Sequence, residues 1–347
     1  MSKLIIQQIK RFIFLSAIAI ITAVLLARLT TAPEHTPQKS ELIKGVWLSH
    51  FGNAFLTYTG LTDNAFHQLS RLNYNRVYVD VYNNGTAYSS KYAPRNYIVS
   101  LPFVNPLKTA IKEGKRQGLK VYAWYEHGMM TFGNAELARR HPDWILSTSD
   151  GEKQIDNHWW IDPANPEVQQ YFVDLFSEVA ASYPSLYGIQ IDDHWGIPIQ
   201  FGNKATAMTE LTNKVVAAIR KIRPDLVISL SPNPLGFSVK KYSQNWLSWI
   251  EAGLFDELVM QLYRPTKEEV ALAIANSRLP EAKQHVDVAI GIYAGSLQQQ
   301  KSLVEIQKQI AIVKEHGYGY AVFSWETSLG ILRWHKREPK EKYLKAI

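Results

Sequence analysis

Short apolar runs alternate with amphipathic stretches along most of the chain. The runs at 45–49, 76–81, 119–125, 187–191, 226–230, 257–262, 286–292 and 319–325 are rich in Val, Ile, Tyr and Trp and read as buried strands. The stretches at 63–72, 105–117, 166–182, 204–222, 242–252, 267–276 and 302–315 have helical periodicity; in the first, Ala65, Phe66, Leu69 and Leu72 share one face. Pro106 sits in the first turn of the 105–117 helix and Gly118 closes it, the usual asymmetry of helix ends. Repeated strand–helix units with almost no hairpin signals predict parallel strands. Eight of them in about 290 residues fit a single (β/α)8 TIM barrel, an α/β fold. An open doubly wound sheet is the rival, but no Gly-rich dinucleotide loop follows the first strand. The predicted barrel spans 42–335, with one long excursion at 127–165 between the third and fourth strands.

In this architecture the active site lies at the C-terminal ends of the strands. Those ends carry the chemistry here: Asp80 and Tyr82 after the second strand, Trp124, Glu126 and His127 after the third, and Asp192, Asp193, His194 and Trp195 after the fourth. The fifth ends at Asn233, the sixth at Gln261 and Tyr263, the seventh at Tyr293, and the eighth at Trp325 and Glu326. Side chains alternate along a strand. Alternation turns Tyr78, Asp80, Tyr82, Tyr122, Trp124, Glu126, Gln190, Asp192, Ser324 and Glu326 into the barrel, and Asp193 toward the following helix. Asp80, Glu126, Asp192 and Glu326 then converge on one mouth. A register error of one residue would exchange Asp192 with Asp193. Read structurally, Asp193 is a helix N-cap, and the Asp162-Pro163-Ala164-Asn165-Pro166-Glu167 run is a turn and N-cap for the next helix.

Composition narrows the class. The net charge is +7, but residues 1–40 and 331–347 each carry +4, so the body between them is close to neutral. A nucleic-acid-binding domain would carry its basic stripe on the fold, so no nucleic-acid partner is expected. With no cysteine, disulfides, thiolate metal sites and thiol nucleophiles are excluded. Lys3, Lys10 and Arg11 precede the uncharged run 12–27, which makes residues 1–32 a secretory signal or a signal anchor and puts the body outside the cytoplasm. Pro33 would follow a cut after Ala32, so an uncleaved anchor in the membrane is expected. Residues 33–41 read as a polar linker and 336–347 as a basic tail.

Two carboxylates flanking a bond between aromatic walls is the chemistry of glycoside hydrolysis. Trp47, Tyr82, Trp124, Trp195, Tyr263, Tyr293 and Trp325 are candidate platforms for sugar rings, although such a residue taken alone is more often core than platform. Asp80, His127, His194, Asn233 and Gln261 are candidate polar contacts to the substrate. No cofactor or metal is expected. Two alternatives stand beside the glycosidase: a metal-dependent polysaccharide deacetylase using Asp192, Asp193 and His194 as ligands, and a non-catalytic glycan-binding barrel. Against the first, no His-x-x-x-His spacing occurs among the ten histidines.

At these residues the chain resembles the glycosyl hydrolase-like family 10 proteins, which are distinct from the family 10 xylanases. The resemblance rests on Gly45-Val46-Trp47-Leu48, Ala123-Trp124-Tyr125-Glu126-His127-Gly128, His141-Pro142-Asp143-Trp144 and Asp162-Pro163-Ala164-Asn165-Pro166-Glu167-Val168. It continues through Gly188-Ile189-Gln190-Ile191-Asp192-Asp193-His194, Ser231-Pro232-Asn233, Gln261-Leu262-Tyr263 and Phe323-Ser324-Trp325-Glu326. It implies a barrel and an exported or envelope glycosidase acting on a polysaccharide, with peptidoglycan glycan strands among the substrates of such proteins. The family more often has Tyr at the position of His194. Barrel glycosidases often pair an Asp after the fourth strand, as nucleophile, with a Glu after the fifth. Here the fifth strand offers no carboxylate. The expected assignment is therefore Asp192 as nucleophile or base, with Glu126 as acid and Glu326 as second choice.

Overall fold

A computed structural model describes residues 31–330 apart from Leu297, together with Thr22 and Arg333. Eight parallel strands close into a barrel: β1 (Lys44–Leu48), β2 (Arg76–Asp80), β3 (Lys120–Tyr125), β4 (Gly188–Asp192), β5 (Val227–Ser231), β6 (Glu257–Gln261), β7 (Asp287–Tyr293) and β8 (Gly319–Phe323). Each strand pairs with its neighbours in sequence, and β8 returns to β1 through Lys44 opposite Tyr320. The predicted (β/α)8 barrel is the observed fold.

The barrel interior is filled by side chains. Trp47, Tyr78, Tyr122, Trp124, Val259, Ala289 and Ala321 form an inner cluster, separate from the larger core between strands and helices. Glycine makes room for the rings. A Cβ on Gly45 would lie 2.6 Å from the Tyr78 ring, and one on Gly188 would lie 2.5 Å from that of Tyr122. Below these rings, Arg76 Nε donates to Glu257 Oε1 at 2.9 Å and Nη2 lies 2.8 Å from the same oxygen, a buried ion pair at the floor.

Three expectations are corrected. A helix over His50–Thr59, directly after β1, has no counterpart in the sequence reading. Its sequence is poor in helix formers, and the helix is held by packing: Leu56 is buried, and Asn53 donates from Nδ2 to the Asp80 carbonyl at 3.0 Å. The eighth strand stops at Phe323, and Trp325–Ser328 is a helical turn capped by Ser324. Residues 32–41 are tied to the body at several points. Asp63 accepts from the Ala32 amide, Asn73 from the Gln38 amide, and Arg116 and Gln117 donate to the carbonyls of Ala32 and Pro33. Polar, Pro-containing composition reads as a linker, yet these backbone groups have partners on the body.

The excursion between β3 and β4 is anchored by a two-residue ladder of Met130–Thr131 with Trp159–Trp160. The Asn165 side chain accepts from the Glu167 amide and starts the helix Pro166–Ser182, as expected. Among the described residues no helix is long and apolar enough to cross a membrane. The apolar run 12–27, apart from Thr22, and the tail 336–347 lie outside the described residues.

Candidate active site

The mouth is built from strand ends. Asp80 closes β2, Asp192 closes β4, and Glu126 follows β3 by one residue. Alternation places Asp80 and Asp192 in the interior as expected, and both are buried. Glu326 reaches the mouth from the first turn of the Trp325–Ser328 helix rather than by strand alternation. It is buried, and Ser49 Oγ donates to its Oε1.

Each carboxyl has its own surroundings. The Asp192 Oδ1 accepts from Gln261 Nε2 at 2.8 Å, and its Oδ2 lies 3.8 Å from His194 Nδ1. Gln261 also donates to the carbonyl and hydroxyl of Ser231, so it orients Asp192 rather than offering its amide to solvent. Asp193 does not face the helix. It accepts from Asn233 Nδ2 at 2.5 Å and lies 3.3 Å from His194. His194 Nδ1 donates to the Glu126 carbonyl at 3.0 Å, tying the ends of β3 and β4 together. Asn83 Nδ2 donates to Glu126 Oε2 at 2.6 Å and to His50 Nδ1 at 3.1 Å. His50 Nδ1 is 3.8 Å from both Asp80 Oδ2 and Glu126 Oε2.

These surroundings separate the protonation states. Burial, then Asp193, pushes Asp192 up to about 7, against the pull of His194. Burial and the neighbouring Glu126 push Asp80 well above the usual range. Burial also raises Glu326. Burial pushes Glu126 the same way, but the hydrogen bonds and charge of His50, His127 and Asn83 outweigh it and hold Glu126 below the usual carboxylate range. For His194 burial opposes the charge, yet Asp193 and Asp192 raise it to about 10. His127 is buried and pushed down to about 3. Three carboxyls inclined to keep a proton thus surround one inclined to lose it.

A cavity of about 720 Å³ opens between the ends of β1, β7 and β8 and reaches Glu126. Its walls include His50, Phe51 and Phe55 from the unforeseen helix, then Tyr293, Phe323, Trp325 and Glu326. Tyr263 stands behind Tyr293 and Phe323, with ring centres 5.3 and 6.0 Å away. Tyr293 and Trp325 therefore line the aromatic wall, and Tyr263 stands behind it.

Four predicted sugar platforms are packed away. Trp47 and Trp124 are buried in the barrel beneath the mouth, where Trp47 Nε1 donates to Gln190 at 2.7 Å. Tyr82 leaves the interior because β2 ends at Asp80; it packs beside Tyr125, and its hydroxyl lies 3.1 Å from that of Tyr171. Trp195 is fully buried against Phe172 and Phe176 and donates to Thr212 Oγ1 at 2.9 Å. His50, Phe51 and Asn83 were the site residues missed. Their signal was position alone, two or three residues past the ends of β1 and β2.

Two groups of side chains could hold a metal: His50 with Asp80 and Glu126, and Asp192 with Asp193 and His194.

A closed parallel barrel whose C-terminal mouth gathers carboxyls beside an aromatic-walled cavity defines a glycosidase-like TIM barrel. Within that class the chain belongs to the family described as glycosyl hydrolase-like 10, whose profile matches residues 42–210 and 204–312. It is 25% identical over 313 residues, 69% of each chain, to the glycosyl hydrolase DigH of Escherichia coli and of Shigella flexneri. Solved structures share the fold. The GH36 α-galactosidase AgaA from Geobacillus stearothermophilus aligns with a TM-score of 0.58 at 13% identity, over 90% of this chain and 42% of that one. A putative α-L-fucosidase from Bacteroides thetaiotaomicron aligns at 0.57 and 12% identity, over 92% and 97%. The chain thus spans about two fifths of the α-galactosidase's length.

Proposed function

We propose that the chain is a glycoside hydrolase that cleaves a polysaccharide with Glu126 as nucleophile or base and Asp192 as acid. One observation carries this reading: two carboxyls of one mouth are pushed in opposite directions, Glu126 down and Asp192 up to about 7. Environments that separate the pKa values of a carboxyl pair assign acid and base. The roles are then the reverse of those expected from strand position. Glu326, which lines the cavity and is also raised by burial, is the second candidate for the acid. The acid protonates the leaving oxygen while the ionised carboxylate attacks the anomeric carbon or activates water, and the aromatic wall holds the ring. The family resemblance favours peptidoglycan glycan strands among the polysaccharides. The charged start and apolar run at 12–27 favour export, with the barrel outside the cytoplasm.

The test is release of reducing ends from peptidoglycan and a panel of polysaccharides by the full-length protein. Glu126→Gln is expected to lower the rate by about 10²–10⁴-fold, the usual contribution of a positioned acid or base. Azide should restore turnover in that variant as a glycosyl azide of inverted configuration, read by product analysis rather than by reducing ends, because azide then attacks the anomeric carbon in place of the missing carboxylate. Asp192→Asn should instead be spared on substrates with an activated leaving group. A glycosyl azide of inverted configuration from Asp192→Asn, and none from Glu126→Gln, would return the roles to their expected order. Release of acetate in place of reducing ends would overturn the glycosidase reading.

A further inference from the structure

The ends of β1, β2 and β3 bring together three groups that the two-carboxylate reading does not need as a set. His50 lies two residues past β1, Asp80 closes β2, and Glu126 lies one residue past β3. The facing atoms are His50 Nδ1, Asp80 Oδ2 and Glu126 Oε2, all within 4.8 Å of one another. A second observation points to a missing occupant. Asp80 is 1% exposed, and its Oδ2, aimed at the other two groups, has no hydrogen-bond partner, although its Oδ1 accepts from the Tyr82 amide at 3.0 Å. A buried carboxylate oxygen left without a donor is costly. No Lys or Arg forms an ion pair with any of the three among the described residues.

We propose that His50, Asp80 and Glu126 form a binding site for one divalent cation of the zinc or manganese type, with Asn83 as a fourth ligand. The size fits. Two sides of 3.8 Å and a third no longer than 4.8 Å put a common centre about 2.0–2.5 Å from each atom, a range that includes Zn–N and Zn–O bond lengths. The ligand types fit as well, since one imidazole and two carboxylates suit these ions better than magnesium or copper(I). Asn83 supplies the fourth position by turning over. Its Nδ2 now contacts both Glu126 Oε2 and His50 Nδ1, and a half-turn of the amide puts the acceptor Oδ1 there instead. His50 is the accessible edge of the site, about a fifth exposed, which gives the ion an entry path. The cation would neutralise the Asp80 and Glu126 carboxylates, which face each other with no Lys or Arg paired to either among the described residues. It would also occupy the carboxylate assigned as nucleophile or base, so zinc should inhibit. This last consequence rests on the glycosidase reading; the binding itself does not.

The experiment is calorimetric titration of the chelator-treated full-length protein with zinc chloride and manganese chloride at pH 7, with thermal unfolding in parallel. One ion per chain is expected, with a dissociation constant at or below about 10 µM and a rise in Tm. Asp80→Asn and His50→Gln should each weaken binding at least tenfold, and Asp193→Asn should not. The half-buried His50 makes its variant the safer one to fold. Saturating zinc should slow hydrolysis by the native protein, while the residual rate of His50→Gln should be insensitive to it. Absence of binding, or binding lost in Asp193→Asn but kept in Asp80→Asn, overturns the proposal. Hydrolysis without zinc binding removes the cation site and leaves the glycosidase reading standing. Zinc binding without any hydrolysis does the reverse.

Discussion

Strand β2 carries Arg76 at the floor of the barrel and Asp80, four residues on, at its mouth. Both side chains point inward and both are buried. At the floor, Arg76 pairs with Glu257 Oε1 through Nε and Nη2, so a buried charge meets its opposite. At the mouth, Asp80, Glu126, Asp192 and Glu326 gather with no Lys or Arg among them. Their ion-pair partners among the described residues are His50 and His194. The same scaffold thus pairs its buried charge at the floor with a strong cation and leaves it without one at the mouth. Burial without a strong cation is what raises Asp192 and Asp80. Perturbed carboxyls clustered beside a cavity mark functional sites for this reason.

The floor half of the comparison has the largest expected effect on stability. Arg76→Met leaves Glu257 buried and unpaired, which should cost about 3–5 kcal/mol. Replacing both partners by Met should recover most of that loss, because the pair itself contributes little over well-packed apolar side chains. Urea unfolding measures both. A loss below about 1 kcal/mol for the single variant would put this pair on the footing of a surface bridge and break the contrast between the two ends.

At the mouth the sign reverses. Asp192 has a folded pKa of about 7, against about 3.9 in an unfolded chain. Between those values the folded state holds a proton that the unfolded state has released. Stability from this group is therefore complete below about pH 4 and is lost as the pH rises through 7. Asp192→Asn removes this slope and keeps the oxygen that accepts from Gln261. At pH 7.5 the variant should be more stable than the native protein by up to about 4 kcal/mol while losing activity. Unfolding curves at pH 5 and 7.5 test the prediction. A variant equally destabilised at both would mean that Asp192 is a fold residue like Glu257.

The barrel was legible because periodicity survives in every strand, and so were the inward positions of Tyr78, Asp80, Tyr122, Trp124, Gln190 and Asp192. Alternation failed where strands end. Tyr82 was read as interior, but β2 stops two residues earlier and the chain turns outward. Glu326 was reached by extending β8 past Phe323, where a helical turn begins. The helix His50–Thr59 was illegible because its propensity is weak and tertiary contacts hold it, so His50 and Phe51 were lost with it. The His50–Asp80–Glu126 group has no local spacing to read, since its members come from three separate strand ends. The aromatic residues were the hardest. A Trp after a strand looks the same in sequence whether it meets sugar or, like Trp195, meets Phe172 and Phe176.

That last ambiguity gives the smallest and most specific contrast. Phe51 is 62% exposed at the cavity rim, and its ring centre lies 4.0 Å from that of His50. An exposed ring costs little to remove from the fold, and its stacking against a substrate ring contributes about 0.5–1.5 kcal/mol. Phe51→Ala should therefore raise KM by roughly 3–10-fold, with kcat and Tm close to native. Trp195→Phe should do the opposite. It gives up the donor to Thr212 and part of a buried ring, which lowers stability by about 1 kcal/mol or more, and it should leave KM unchanged because no substrate reaches that layer. Steady-state kinetics and thermal unfolding of the two variants separate a binding wall from a core. If Trp195→Phe raised KM while Phe51→Ala did not, the glycan would have to approach over β4 rather than between β1 and β8, and the cavity would lose its role.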